Sequence, residues 1–341
     1  MKSLLHLSHR DGESILLVED PDSNLTAQPE KKYGYNMNPQ DSFSSIDDIC
    51  EQLRHCRYIT DQSLATVLYL SYHLHKPIFL EGEPGVGKTE VALVLSELLD
   101  ARLIRLQCYE GLDAGSALYE WNYPKQLLRI KMDEQCSQSP EEIGQVIYTE
   151  PYLIKRPLLE AIMSSQGNAP VLLIDELDRA DEEFEAFLLE ILSDFQVSIP
   201  EVGTLKATHK PMVVITSNRT RDVHDALKRR CLFHWIDYPD LEKELKIIQA
   251  RVPDIDEALA HQVAIFMQNI RREDLLKKPG ISESLDWAEA LLQLNRHVLN
   301  EETVEKTLGC ILKYHEDIQK FRTDIWANPD KRTQFLSESC M

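Results

Sequence analysis

Nine consecutive residues have the types and spacing of a loop that binds phosphate: Gly82, Glu83, Pro84, Gly85, Val86, Gly87, Lys88, Thr89 and Glu90. The glycines let successive backbone N–H groups point toward one anion, and the N-terminus of a following helix adds partial positive charge. In such loops the lysine, here Lys88, reaches the β- and γ-phosphates, and the Thr89 hydroxyl can ligate Mg²⁺. The pattern predicts a site for a nucleotide with Mg²⁺, against the alternative of a glycine-rich turn with a solvated lysine.

A second candidate lies where an apolar run ends in two acids, Asp175 and Glu176. The run at 171–174 predicts a strand buried on both faces, and its carboxyl end is where doubly wound sheets bind ligands. There Asp175 would hold Mg²⁺, and Glu176 could act as the general base that polarises the attacking water. The alternative is an acidic start to the next helix, and the phosphate loop favours the first interpretation.

A third buried run, at 211–216, is followed by Asn218. A polar side chain at the tip of a strand beside the nucleotide strand can donate to the γ-phosphate or orient the attacking water. Asn218 is therefore our candidate for that position. The alternative is an ordinary turn residue, which is the usual role of an asparagine after a strand.

Two consecutive arginines, Arg229 and Arg230, precede another apolar run that ends near residue 236. Positive charge offsets the charge that develops on a transferring phosphoryl group, and an arginine supplied there accelerates transfer about 10³–10⁵-fold. The alternative is a pair of cations that complements the dipole at the C-terminus of a short helix.

These candidates need a scaffold in which several strands end at one edge. Strand patterns alternate with helix patterns from the run before Gly82 to residue 236, which predicts a parallel α/β sheet with right-handed crossovers. Residues 111–165 are too many for a simple crossover, so we expect an inserted element there, and 196–210 alternate like a hairpin. From residue 240 only helix patterns appear. We expect four parts: a polar N-terminal arm (1–45), a nucleotide-binding α/β domain (46–239), an all-α lid (240–318) and a tail (319–341).

Composition narrows the class of partner and the compartment. The 341 residues include 57 acidic and 37 basic ones, for a formal net charge of −20, which argues against a nucleic-acid partner. Seven scattered cysteines without a C-x-x-C pair indicate neither a zinc site nor a disulfide framework, and they fit a reducing cytosol. The apolar stretch in the first residues is too short for a signal peptide, and no run approaches the roughly 20 apolar residues of a membrane helix. We expect a cytoplasmic protein without membrane insertion.

The combination of these motifs with a helical lid resembles the AAA+ ATPases over about residues 50–318. Several stretches are more specifically similar to the MoxR lineage of that superfamily, and in particular to its CoxD-type members. They include Leu-Glu-Gly-Glu-Pro-Gly-Val-Gly-Lys-Thr-Glu at 80–90, Tyr-Glu-Trp-Asn-Tyr-Pro at 119–124, Ala-Leu-Lys-Arg-Arg-Cys at 226–231 and Pro-Gly-Ile-Ser-Glu-Ser-Leu-Asp-Trp at 279–287. Further similar stretches lie at 103–112, 217–221 and 235–239.

The resemblance implies a P-loop core with helices on both faces of the sheet, an insert after the second strand, a hairpin before the third motif and a small all-α lid. It also implies a hexameric ring with ATP sites between subunits. Asp175 and Glu176 would be the Walker B pair, and Asn218 would be sensor 1. Arg230, with Arg229 as second choice, would act on the neighbour's ATP. One departure is that 282–285 lack the sensor 2 arginine of many lids, and Arg271 or Arg272 could substitute.

The implied function is ATP-driven remodelling that matures a metalloenzyme, here a molybdenum hydroxylase of the carbon-monoxide-dehydrogenase type, together with a von Willebrand A-domain partner. The alternatives are activation of a nitric-oxide reductase or of Rubisco, a nucleic-acid motor, and a nucleotide-binding scaffold without turnover. Four aromatic residues of the insert region could grip a client or pack in the core: Tyr109, Tyr119, Trp121 and Tyr123.

Overall fold

The computed structural model describes residues 7–10, 13–16, 43–133, 144, 146–164 and 167–336 of the chain. The chain separates into two compact units, Met1–Met37 and Asn38–Met341. In the first unit, strands β1 (Leu7–Arg10) and β2 (Glu13–Leu16) pair in antiparallel fashion. Most of the polar arm expected over 1–45 lies outside the described residues, and the arm stays a prediction.

The strands of the second unit are β3 (Ile78–Gly82), β4 (Leu103–Gln107), β5 (Tyr119–Trp121), β6 (Leu153–Lys155), β7 (Val171–Asp175), β8 (Gln196–Ile199), β9 (Gly203–Lys206), β10 (Met212–Ser217) and β11 (Leu232–Ile236). Five of them form one parallel sheet in the order β11-β3-β10-β7-β4. The phosphate loop follows β3, a central strand. Strand β10, the neighbour of β3, leads to Asn218. Strand β7, on the other side of β10, ends at Asp175, and Glu176 follows it.

The helices are α1 (Ile46–His55), α2 (Gln62–Leu74), α3 (Lys88–Leu98), α4 (Ala114–Ala117), α5 (Tyr123–Asp133), α6 (Pro157–Ile162), α7 (Glu182–Asp194), α8 (Asp225–Lys228), α9 (Leu241–Arg251), α10 (Glu257–Arg272), α11 (Ile281–Gln293), α12 (Glu301–Ile311), α13 (His315–Lys320) and α14 (Pro329–Leu336). Short 3₁₀ turns occur at Glu150–Tyr152 and Leu177–Arg179. None of the helices within the described ranges combines the length and the apolarity needed to cross a membrane.

Helices cover both faces of the parallel sheet, as predicted. Successive residues of a strand point to opposite faces. On one face Leu80 packs in a core with Leu68 of α2 and Val91 of α3, and on the other Phe79 shares a core with Leu188 of α7. Burial on both faces explains why these strands read as continuous apolar runs rather than alternating ones.

The expected insert and hairpin are both present. Between β4 and β7 the chain forms α4 to α6 with the antiparallel pair β5–β6. Strands β8 and β9 pair with Ile199 opposite Gly203, as the alternating pattern predicts. The four aromatic residues divide between the two interpretations: Trp121 is buried and Tyr119 half-buried, whereas Tyr109 and Tyr123 are about half exposed, at 48% and 59%.

Every regular element among the described residues after β11 is a helix, as expected. Helices α9 to α14 enclose a separate apolar core. At its centre the ring of Phe266 lies 4.8 Å from that of Trp287. The domain boundaries at 45/46 and 239/240 stay predictions.

The structure differs from the predicted tail at 319–341. Helix α13, a π-helical segment (Phe321–Trp326) and α14 extend to residue 336, and residues 337–341 lie outside the described part. Phe321 and Phe335 are buried, with ring centroids 5.9 and 5.0 Å from that of Phe266. The helices are short and a π segment shifts their register, so no continuous helical period is visible in the sequence.

Candidate nucleotide site

The phosphate loop connects β3 to α3, and its three glycines meet two steric demands. A Cβ on Gly82 would lie 2.2 Å from the carbonyl oxygen of Ile236 in the adjacent strand. Gly85 and Gly87 have φ values of +77° and +93°, in the left-handed region that side chains disfavour. The predicted strand, glycine turn and helix are therefore present at this position.

Lys88 is buried, with 6% of its surface exposed, and its Nζ donates to the carbonyl oxygens of Gly82 and Glu83 at 2.8 and 2.7 Å. Burial lowers the pKa of the Lys88 amine to about 8, and nearby carboxylates, Asp178 most of all, oppose that shift. The amine is thus held inside the loop, on carbonyls that a phosphate can replace as hydrogen-bond acceptor.

Asp175 ends β7 with 3% of its surface exposed. Its Oδ1 accepts from the hydroxyls of Thr89 at 3.0 Å and Thr216 at 2.6 Å, and its Oδ2 accepts from Arg105 at 2.5 Å. A carboxylate beside a hydroxyl is the pair of hard oxygen ligands that suits Mg²⁺, which takes its remaining ligands from phosphates and water. Thr89 and Asp175, the predicted pair, therefore fit this ion.

Glu176 adopts a left-handed conformation with φ 55° and ψ 49°. Its backbone N–H donates to the Thr216 hydroxyl at 2.9 Å. Its Oε2 accepts from Gln107 at 3.0 Å and from Arg179 at 2.9 Å. The predicted general base is thus held by two donors in this conformation, and an attacking water would have to compete with them for the carboxylate.

Sequence reasoning missed the donors on β4. Arg105 and Gln107 occupy the same face of that strand, and Gln107 pairs in register with Asp175. The Arg105 guanidinium also donates to the Gln107 side chain at 2.7 Å. The alternation of polar residues at the end of an otherwise apolar strand was a usable signal. That Arg105 and Gln107 reach Asp175 and Glu176 could be inferred only by knowing that β4 is adjacent to β7.

Asn218 lies beyond the end of β10 and lines the same cavity as Lys88 and Asp175. Its backbone N–H donates to Asp178 Oδ1 at 3.1 Å. Within the described ranges its side-chain amide forms no hydrogen bond. This amide is therefore available to a ligand, and its role at the γ-phosphate stays a prediction.

The cavity has a volume of about 770 Å³, within the range of about 300–1,000 Å³ that is usual for small-molecule sites. The phosphate loop, Glu176 and Asn218 line it. Ile59, Ile247 and Leu285 line it as well and supply apolar surface. The cavity thus offers both polar groups and apolar surface, and a nucleotide needs both.

Arg229 and Arg230 do not line this cavity, and both are exposed. The Nε of Arg230 donates to the hydroxyl of Ser193 on α7 at 2.8 Å. Lys228, the last residue of α8, lies 3.2 Å from the buried carboxylate of Glu81 in β3. The segment that carries the arginine pair is therefore held to β3 through Lys228 and to α7 through Arg230, and the pair lies outside the nucleotide cavity of its own chain.

The first turn of α11 contacts the phosphate loop through backbone atoms. The N–H groups of Ile281 and Ser282 both donate to the carbonyl oxygen of Gly85, at 2.9 and 3.2 Å. Arg271 is buried in a bidentate ion pair with Glu244, at 2.6 and 2.8 Å, and does not line the cavity. The idea that Arg271 substitutes for a sensor 2 arginine is therefore not supported by its position.

Comparison with known proteins agrees with this geometry. Residues 77–231 match the family described as AAA domain (dynein-related subfamily). An uncharacterized protein of Staphylococcus haemolyticus (strain JCSC1435) is 27% identical over 243 residues, which are 69% of this chain and 83% of that protein. An uncharacterized protein of Staphylococcus aureus (strain NCTC 8325 / PS 47) is 27% identical over 230 residues, covering 65% and 78%.

Among solved structures, the RuvB Holliday junction branch migration motor of Thermotoga maritima is similar with a TM-score of 0.43 and 17% identity, covering 83% of this chain and 79% of that one. A likeness of this degree does not indicate what this chain acts on. The match over 77–231, together with the five-stranded parallel sheet and the phosphate loop, shows a P-loop AAA domain in this part of the chain. The chain is thus an enzyme that hydrolyses ATP.

Proposed function

We propose that this AAA+ ATPase is a remodelling chaperone of the MoxR lineage, active as a homo-oligomeric ring that is most simply a hexamer. The observation that carries the proposal is the division of the site. Lys88, Asp175, Glu176 and Asn218 line one cavity, whereas the arginine pair after α8 is exposed and outside it. Phosphoryl transfer needs positive charge opposite the general base. In the proposed ring, the arginine pair of a neighbouring copy supplies that charge and completes the site.

Each residue then has a proposed role. Lys88 leaves the carbonyls of Gly82 and Glu83 to bind phosphate oxygens, and Thr89 with Asp175 holds Mg²⁺. ATP with Mg²⁺ supplies the reactive phosphoryl group and the charge that steadies it. For hydrolysis, Glu176 leaves Gln107 and Arg179, accepts the proton of the attacking water and so acts as general base.

The remaining two roles concern the charge on the γ-phosphate. The Asn218 amide, which makes no hydrogen bond within the described ranges, donates to that phosphate or orients the water. Arg230 acts on the ATP of the adjacent subunit, and Arg229 is the second candidate. The hydrogen bond from Arg230 to the Ser193 hydroxyl holds the Arg230 side chain at the surface until the neighbour's site is presented.

The proposed client is a metalloenzyme, most specifically a molybdenum hydroxylase of the carbon-monoxide-dehydrogenase type, with a von Willebrand A-domain protein as partner. The support is the resemblance of stretches such as 80–90, 119–124 and 279–287. The exposed rings of Tyr109 and Tyr123 provide surface that could grip a polypeptide. The cysteines among the described residues are unpaired thiols, which fits a cytoplasmic location. Adjacent genes for hydroxylase subunits and such a partner would support this client, and their absence would favour activation of another enzyme.

The shared site is tested by mixing subunits. Glu176→Gln subunits lack the base and keep the arginine, whereas Arg230→Ala subunits lack the arginine and keep the base. Each variant alone should be nearly inactive, and mixed rings should regain hydrolysis at interfaces that combine the two intact halves. Mixing Glu176→Gln with Lys88→Ala subunits that also carry Arg230→Ala is the matched control, since no interface then has a complete site.

Two results would count against the proposal. Mixed assemblies that show no recovered hydrolysis, although light scattering confirms rings, would remove the role of Arg230 in the neighbour's site. Stimulation of the ATPase by DNA or RNA would instead favour a nucleic-acid motor, against the formal net charge of −20.

A further inference from the structure

Asp178 is a buried carboxylate just outside the nucleotide cavity. It lies in the 3₁₀ turn Leu177–Arg179, directly after the two acids, with 2% of its surface exposed. Its Oδ1 accepts from the backbone N–H of Asn218 at 3.1 Å. Its Oδ2 accepts from the N–H and the hydroxyl of Thr220 at 2.8 and 2.7 Å. One side chain thus binds three donors of the loop that carries Asn218.

The loop after β10 depends on these bonds for its conformation. Residues 218–220 lie outside any helix or strand. Arg219, the middle residue, has φ 57°, which is unfavourable for a residue other than glycine. Among the described residues, this tripeptide forms two further hydrogen bonds. The Arg219 N–H donates to the Ser217 hydroxyl, and the Thr220 hydroxyl donates to the carbonyl oxygen of Asp178. Without the Asp178 carboxylate, little would keep the loop in this arrangement.

We infer that Asp178 is a positioning residue, which fixes the direction of the Asn218 amide in the cavity by holding the backbone on both sides of Arg219. Asp178 does not line the cavity, so it acts on the reaction through Asn218 rather than on the nucleotide. The inference rests on the proposed role of Asn218, whose amide has no side-chain partner of its own to orient it.

A second effect of Asp178 has to be separated in the test. Its negative charge favours the charged form of Lys88, so an Asp178→Asn variant could change phosphate binding as well as the loop. Thr220→Val removes one donor of the same cluster and leaves the charge in place. Thr220→Ser keeps the hydroxyl and is the conservative partner of that variant. Asp222→Asn, at an exposed carboxylate nearby in the chain, controls for the loss of one acidic group.

The experiment measures steady-state ATPase rates, nucleotide affinity by fluorescence titration and the melting temperature of the full chain. We expect kcat to fall about 10- to 100-fold in Asp178→Asn and about 5-fold in Thr220→Val, since one hydrogen bond is worth about 1 kcal/mol and 1.4 kcal/mol is tenfold. Nucleotide affinity should change less than 3-fold in Thr220→Val. Thr220→Ser and Asp222→Asn should retain the wild-type rate.

The double variant Asp178→Asn/Asn218→Ala distinguishes positioning from a general structural effect. If Asp178 acts through Asn218, the double variant should be no slower than Asn218→Ala alone, because residues acting as one unit are not additive. A further drop in the double variant, or a wild-type rate in Thr220→Val, would overturn the inference while leaving the shared site intact. A wild-type rate in Asn218→Ala would remove the role of Asn218, and the positioning role of Asp178 with it.

Discussion

The contact between the first turn of α11 and the phosphate loop can be tested by adding a single methyl group at Gly280. This residue is the N-cap of α11, with φ −82°, so alanine fits its backbone conformation. Its N–H is satisfied by the side chain of Glu283 at 2.9 Å, which the substitution leaves in place. The change therefore acts on the junction and on little else.

The magnitude follows from the distances. The added Cβ would lie 2.8 Å from the carbonyl oxygen of Pro84 and 2.9 Å from both Cα and the carbonyl carbon of Gly85. Restoring contact distance moves the helix and the loop apart by about 0.5 Å, which strains the two N–H bonds to the Gly85 carbonyl. Overpacking of this kind costs about 1–3 kcal/mol. If the phosphate loop needs this contact to keep its binding conformation, the same free energy is lost from ATP binding. Since 1.4 kcal/mol corresponds to a tenfold change, ATP affinity should fall about 5- to 150-fold.

The assay is titration of a fluorescent ATP analogue into the Gly280→Ala chain, with melting temperature measured in parallel. Gly309→Ala is the matched control, because nothing lies within 4 Å of its Cβ position in the last turn of α12. That control should raise helix stability by about 0.5–1 kcal/mol and leave ATP affinity unchanged. Wild-type ATP affinity in Gly280→Ala would refute the reasoning, since the loop would then bind phosphate independently of α11.

Three further outcomes are expected. Glu244→Gln leaves the buried Arg271 guanidinium without its ion-pair partner, so urea denaturation should show a loss of about 3–5 kcal/mol, and a loss below 1 kcal/mol would contradict the structure. The Lys88 amine, with its pKa lowered to about 8, is already charged below that pH and must take up a proton to bind phosphate above it. Calorimetry should therefore show ATP affinity falling about tenfold per pH unit from pH 8 to 10, with uptake of one proton, and a flat profile would exclude this coupling. Arg105→Ala removes a cation that competes with Mg²⁺ for Asp175. Half-maximal ATPase activity should therefore need about 2- to 5-fold less Mg²⁺, a small change because the ion pair is partly exposed. An increased Mg²⁺ requirement would contradict the role of Arg105 as a competitor.

The architecture and the positions of the polar strand ends could be predicted because both are local in the sequence. Buried parallel strands read as apolar runs, and the residue after each run lies at the carboxyl edge of the sheet. This reasoning located Asp175 and Asn218 in one cavity with Lys88 before the strand order was known. It needed only the alternation of strands with helices.

The partners of those residues could not be predicted, because they depend on which strands and helices are adjacent. Gln107 reaches Glu176 only because β4 lies beside β7, and pairing between residues 68 positions apart leaves no trace in a single sequence. Asp178 resembled one more acid at the start of a helix, yet its three donors come from residues 218–220. The helices after residue 319 were missed for a related reason, since short amphipathic pieces separated by a π segment lack a readable period.

The contact between α11 and the phosphate loop explains why residues 282–285 need no arginine. A side-chain sensor is visible in a sequence, whereas the bonds from Ile281 and Ser282 to Gly85 use backbone N–H groups that almost every residue has. What this contact demands from the sequence is the absence of a side chain at Gly280, because any Cβ there would collide with the loop. The buried Arg271 contributes indirectly: it donates to the carbonyls of Pro279 and Gly280 and so fixes the segment that delivers α11 to the loop. Helix α11 is thus tied to the Gly85 carbonyl through backbone groups, in a contact that needs no charged side chain.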